Sequence, residues 1–108
     1  MESDRREHFR VPGPFNGRWQ GLIPVPLHIH DLSVGGCLVE SYHEIRSGRR
    51  MTIDIDLPVE GWVSLQAETC YVRDGYGFAV KFVDVPDEMR VRLERVVQLL
   101  LDQAAAAE

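Results

Sequence analysis

Three arginines and one polar turn carry most of the chemistry available to this sequence. Arg5, Arg6 and Arg10 stand near the amino terminus, the last two framing Arg6-Glu7-His8-Phe9-Arg10. The turn is Asp31-Leu32-Ser33-Val34-Gly35-Gly36, of the form Asp-x-Ser-x-x-Gly. A guanidinium is a planar fork of donors that fits phosphate oxygens, or the O6/N7 edge of a guanine, two hydrogen bonds at a time. A carboxylate at Asp31 accepts from N–H donors, and a hydroxyl at Ser33 donates or accepts. A glycine at Gly36 leaves room for a flat ligand against the backbone. Each pattern alone has an ordinary reading. The arginines also fit a solvated cluster paired with Glu2, Asp4 and Glu7, and the turn fits a β-turn bonded to itself.

To bring an arm and a turn together, the chain between and after them must form a scaffold, and its periodicity describes one. Residues 1–10 read as a flexible charged arm with one apolar anchor, Phe9, and Val11 to Gly17 as a loop dense in Pro and Gly. Val25, Leu27 and Ile29 alternate with Pro26, His28 and His30, the period of a half-buried strand. After the turn, Cys37 to Ser41 resumes an extended segment. Met51, Ile53, Ile55 and Leu57 alternate with Thr52, Asp54, Asp56 and Pro58, and Val63, Leu65 and Ala67 start another strand. Asp74-Gly75 predicts a tight hairpin turn before the strand Phe78–Phe82.

The period then changes. Met89, Leu93, Val96, Val97 and Leu100 share one helical face, with Asp84 or Asp87 as the cap, Pro86 in the first turn and a fade through Ala104–Ala107. Short strands closed by a helix predict a mainly-β domain, a small β-barrel with the helix packed on it. Residues 11–102 form that domain in this reading, and 103–108 a tail.

Composition narrows the function. The 108 residues suffice for one core. A net charge of −5 argues against a general binder of DNA or RNA. Eleven of the twelve basic residues are arginine, which permits phosphate and guanine recognition. No apolar run approaches the roughly 18 residues of a membrane span, and no signal sequence is evident, so a cytoplasmic protein without membrane insertion is expected. Cys37 and Cys70 have no motif spacing and read as reduced, partly buried thiols.

The arginine pattern, the Asp-x-Ser-x-x-Gly turn and the late segment Gly77-Phe78-Ala79-Val80-Lys81-Phe82, in this order, resemble the PilZ domain over nearly the whole chain. The resemblance implies a six-stranded antiparallel barrel of split-barrel type with a C-terminal helix. It implies a bacterial receptor for cyclic di-GMP, with no other cofactor. Carried over by position, Arg6 and Arg10 contact guanine edges and phosphates, Arg5 adds a further contact, and Asp31, Ser33 and Gly36 line the opposite side. The ligand then orders the arm and signals to an effector protein, the receptor being a monomer or weak homodimer. Tyr71 is the aromatic nearest to a stacking position, in a strand that lacks tryptophan.

Other readings have less behind them. His28, His30 and Asp31 lack a further metal ligand at recognisable spacing. His30, Asp31 and Ser33 are triad residue types, but sequence neighbours rarely converge as a triad, so no enzyme and no catalytic residue is expected. The main alternative is a PilZ-like adaptor that binds protein and no nucleotide. Retention of the full arginine motif argues against it.

Overall fold

The computed structural model describes residues 9–41, 45–73 and 75–107. Arg5, Arg6 and Asp74 lie outside them. Six strands, β1 (Val11–Trp19), β2 (Val25–Leu32), β3 (Gly36–Glu40), β4 (Arg50–Leu57), β5 (Gly61–Arg73) and β6 (Gly77–Phe82), precede a helix, α1 (Asp87–Ala107). Every neighbouring pair is antiparallel, and the sheet closes in the order β1-β2-β3-β6-β5-β4. The mainly-β barrel with one C-terminal helix is the architecture that the periodicity and the resemblance predicted.

Alternation fills the interior. Ile29, Leu32, Val39, Ile53, Ile55 and Ala67 are wholly shielded from solvent. Helix α1 lies over the barrel end that holds the β2–β3 and β4–β5 turns, burying Leu93, Val96 and Val97 in the same core. Glu60 of the β4–β5 turn accepts from Arg92 Nε at 2.7 Å and Arg95 Nη1 at 3.4 Å, which fixes the helix to that end. Burial of each large aliphatic side chain contributes about 1.5–3 kcal/mol, so the apolar face outweighs these polar ties in holding the helix.

The structure departs from the sequence reading at both ends of the domain. The Pro/Gly-rich segment is strand β1. Its pairing with β4 begins only at Gly17, so Pro12 and Pro14 stand where a missing N–H leaves no β4 partner unsatisfied. At the helix start neither aspartate caps. The carbonyl of Pro86 accepts from the Arg90 amide at 2.9 Å, and Asp87 and Glu88 occupy the first turn, where acidic side chains favour the helix dipole. At the other end the helix runs on to Ala107, alanine being the strongest helix former.

Candidate ligand-binding face

In a regular strand Asp31 would point the same way as Ile29, into the core. It does not, because β2 carries an extra residue there: Ile29 pairs with Val39, Asp31 with Leu38, and the register shifts between them. The bulge at His30 turns Asp31 outward and lets Leu32 return to the interior. Strand β5 repeats the device. Thr69 pairs with Val80 and Tyr71 with Ala79, and the extra residue between them, Cys70, turns Tyr71 outward. Strand β1 shifts between Pro12 and Phe15, so that Pro12 lies opposite Asp31 while Phe15 lies opposite Ile29.

These shifts assemble one row across the outside of the barrel: Pro12, Asp31, Leu38, Ala79, Tyr71. Leu38 and Ala79 are 8% and 4% exposed yet stand outside the interior cluster. They form a low apolar floor, with the Asp31 carboxylate at one end and the half-exposed Tyr71 ring at the other. A planar aromatic group with N–H donors on one edge suits such a surface.

Arg10 reaches the acidic end. Its Nη1 donates to Asp31 Oδ1 at 2.6 Å, with side chains 50% and 20% exposed. The structure thus brings together one arginine of the arm and the carboxylate of the turn. Arg5 and Arg6 fall outside the described residues.

Ser33 and Gly36 have structural work. Ser33 is 3% exposed, and its Oγ accepts from the amides of Gly35 at 3.2 Å and Gly36 at 3.1 Å. Its own amide donates to the Gly36 carbonyl at 2.8 Å, closing the turn. At Gly36 a Cβ would be driven into the carbonyl oxygen of Val80 on β6. The turn therefore needs serine and glycine to exist in this shape, whether or not a ligand touches them.

Sequence reasoning missed a polar group beside this row. His30 Nδ1 and Glu40 Oε2 are 2.8 Å apart, and Tyr76 OH donates to the same Oε2 at 3.4 Å. The Tyr76 ring meets His30 edge-on at 5.9 Å and lies 4.9 Å below the Arg73 guanidinium. Burial, followed by the Glu40 carboxylate, pushes the Tyr76 phenol up, so it serves as a neutral donor. No spacing rule would have joined these residues, since the bulge at His30 sets their register.

A second missed network lies on the outer face of β1, β4 and β5. Asp54, 3% exposed, accepts from Arg18 Nε at 2.7 Å, Gln20 Nε2 at 2.8 and 2.9 Å, and Ser64 Oγ at 2.6 Å. Burial pushes its carboxyl up, but the hydrogen bonds from Arg18, Ser64 and Gln20, with the Arg18 charge, outweigh this and hold it below the usual range. Arg18 also stacks on Trp62 at 4.4 Å. The two thiols differ: Cys37 is enclosed, and burial pushes it up, whereas Cys70 is exposed. Among the described residues there is no group of three metal-ligating side chains, and no helix is long and apolar enough to cross a membrane.

Comparisons with known proteins place the fold. The model of the PilZ domain matches residues 4–99. The PilZ domain of YcgR from Escherichia coli, solved with c-di-GMP, superposes with a TM-score of 0.77 at 20% identity, covering 95% of this chain and 96% of that one. YcgR in complex with c-di-GMP gives a TM-score of 0.82 at 21% identity over 95% of this chain, which spans 49% of that one. The inhibitor of motility MotI/DgrA from Bacillus subtilis gives 0.75 at 16% identity, covering 91% of this chain and 52% of its own. Among curated proteins, none matches the sequence. With the family model covering most of the sequence and the closed barrel bearing its turn and helix in the matching order, the chain belongs to the PilZ domain family.

Proposed function

We propose that this chain is a receptor for cyclic di-GMP and acts by binding, without turnover, in the cytoplasm. The observation that carries the reading is the meeting of Arg10 with Asp31 at the head of the Leu38–Ala79 floor. Family membership supports it, as do the two YcgR structures, both of which hold this nucleotide. One guanine lies on the floor towards Tyr71, its N1–H and N2–H donating to Asp31. Arg10 leaves Asp31 for a phosphate or a guanine O6/N7 edge, and Arg5 and Arg6 supply the remaining donors. Ser33 and Gly36 act by holding the turn that presents Asp31.

Ordering each arginine costs up to about 2 kcal/mol of side-chain entropy. Two charge-assisted hydrogen bonds per guanidinium, each contributing about 1.5–3 kcal/mol, exceed that cost. The bound arm then offers a different surface to an effector protein.

Calorimetric titration with cyclic di-GMP, with GTP as control and Arg10→Ala as the matched variant, tests this. Saturable binding by the wild type, lost in the variant, is the expected result, and the stoichiometry reads one ligand or an intercalated pair. A folded wild type that takes up no nucleotide would leave the adaptor reading in its place.

A further inference from the structure

Two apolar features stand at opposite ends of the barrel. At one end the β1–β2 connection carries Leu22 and Ile23, 107% and 77% exposed. The knob is held at its base, where the Gln20 amide donates to the Thr52 carbonyl at 3.0 Å and Trp19 pairs with Val25. At the other end, a groove of about 680 Å³ runs along α1, floored by Phe9, Val34, Val91, Val97 and Leu101. Glu94, Arg95 and Gln98 form its polar rim. Strands β1 and β2 run the length of the barrel between the two features, so a chain cannot seat its own knob in its own groove.

The charges around them are complementary. The turn before β4 is fastened to β5, with the Arg49 amide donating to Thr69 Oγ1 at 2.8 Å, and it presents Arg46 and Arg49 as exposed side chains. Arg49 lies 4.9 Å over Trp19, at the base of the knob. Neither arginine has a carboxylate partner among the described residues. On α1 the reverse holds. Arg90, Arg92 and Arg95 are engaged by Asp87 and Glu60, leaving the exposed carboxylates of Glu88 and Glu94 without a cation among the described residues.

We propose that the occupant of the groove is the Leu22–Ile23 knob of a second copy, making a head-to-tail contact with the arginine collar against Glu94 on the groove's rim. Such a contact is heterologous: the dimer keeps a free knob on one copy and a free groove on the other, so association extends beyond the dimer as concentration rises. Two apolar side chains and a few exposed charges make it weak and salt-sensitive. The proposal does not rest on nucleotide binding and is tested without nucleotide.

The test is sedimentation velocity of the whole chain from low micromolar to near-millimolar concentration, in low and high salt. Two variants are added, Leu22→Asp/Ile23→Asp and Val91→Asp, all at exposed positions and checked for folding by circular dichroism. The wild type should associate progressively, less so in high salt. Each variant alone should lose at least about tenfold in association constant. An equimolar mixture should recover a one-to-one complex and stop there, because one variant retains the groove and the other the knob. A wild type that stays monomeric throughout, association indifferent to either variant, or a mixture that fails to recover the complex would each overturn the proposal.

Discussion

Arg10 Nη1 donates to Asp31 Oδ1 at 2.6 Å, so the two residues proposed to bind ligand are first of all each other's partners. A ligand entering between them exchanges one charge-assisted bond for several. Arg10→Ala and Asp31→Ala should each weaken cyclic di-GMP binding about 10- to 100-fold, by loss of one or two such bonds. Because the pair lies at the surface, with Arg10 half exposed, neither change should cost more than about 1 kcal/mol of stability. Titration alongside thermal melts separates the two effects.

Gly36 and Gly48 should respond very differently to alanine. At Gly36 the new methyl meets the Val80 backbone, which cannot move without parting β3 from β6; the loss should be about 2–4 kcal/mol, and binding should fall with it. Gly48 has a φ of +84° and open space around it, so only the left-handed backbone resists, at about 1 kcal/mol. Urea midpoints of the two variants give the ratio.

Ser33→Ala removes the acceptor that holds the Gly35 and Gly36 amides. The expected cost is about 1–3 kcal/mol, because a buried amide is left unpaired. Binding should weaken in step with the lost stability. If binding vanished while the urea midpoint did not move, Ser33 would be a ligand contact and not a strut.

Acid should test the Asp54 network. Its carboxyl lies lower in the folded chain than in the unfolded one, so its contribution is fully present above the unfolded value of about 3.9. That contribution is lost as pH falls from there through the depressed folded value. Asp54→Asn should cost about 2–3 kcal/mol at neutral pH and narrow the gap to wild type in that acid range. Denaturation across the range measures the convergence.

The thiols offer an inexpensive check of the packing. Cys37 is enclosed and its thiol held protonated, whereas Cys70 faces solvent at the β5 bulge. A thiol-reactive dye should label Cys70 promptly in the native protein and Cys37 only after unfolding. Mass spectrometry of the labelled peptides distinguishes the order.

Much of this architecture was legible because it repeats. Alternation in Met51–Leu57 and Val63–Ala67, and the helical spacing of Met89, Leu93, Val96 and Val97, each name a buried face without reference to anything distant. The Asp31–Gly36 turn was equally plain. What the residues could not announce was register. Whether Asp31 and Tyr71 face out depends on single extra residues, His30 and Cys70, whose presence shows only when the partner strand is known. The Arg18–Asp54–Ser64 and His30–Glu40–Tyr76 groups are cross-strand neighbours and were hidden for the same reason. Strand β1 was obscured differently: Pro and Gly signal a loop locally, and only the limited pairing with β4 explains why a strand tolerates them there.

That limited pairing has a further consequence. Among the stretches of strand that closure leaves paired on one side only is the part of β1 before Gly17 that faces the end of β4. It opens on a small cleft lined by Pro14, Phe15, Asn16, Asp56, Leu57 and Pro58. A foreign strand seeking to extend the sheet would meet prolines on both banks, and proline offers no amide to a new ladder. The seam is thus proofed against β-augmentation and edge-to-edge aggregation.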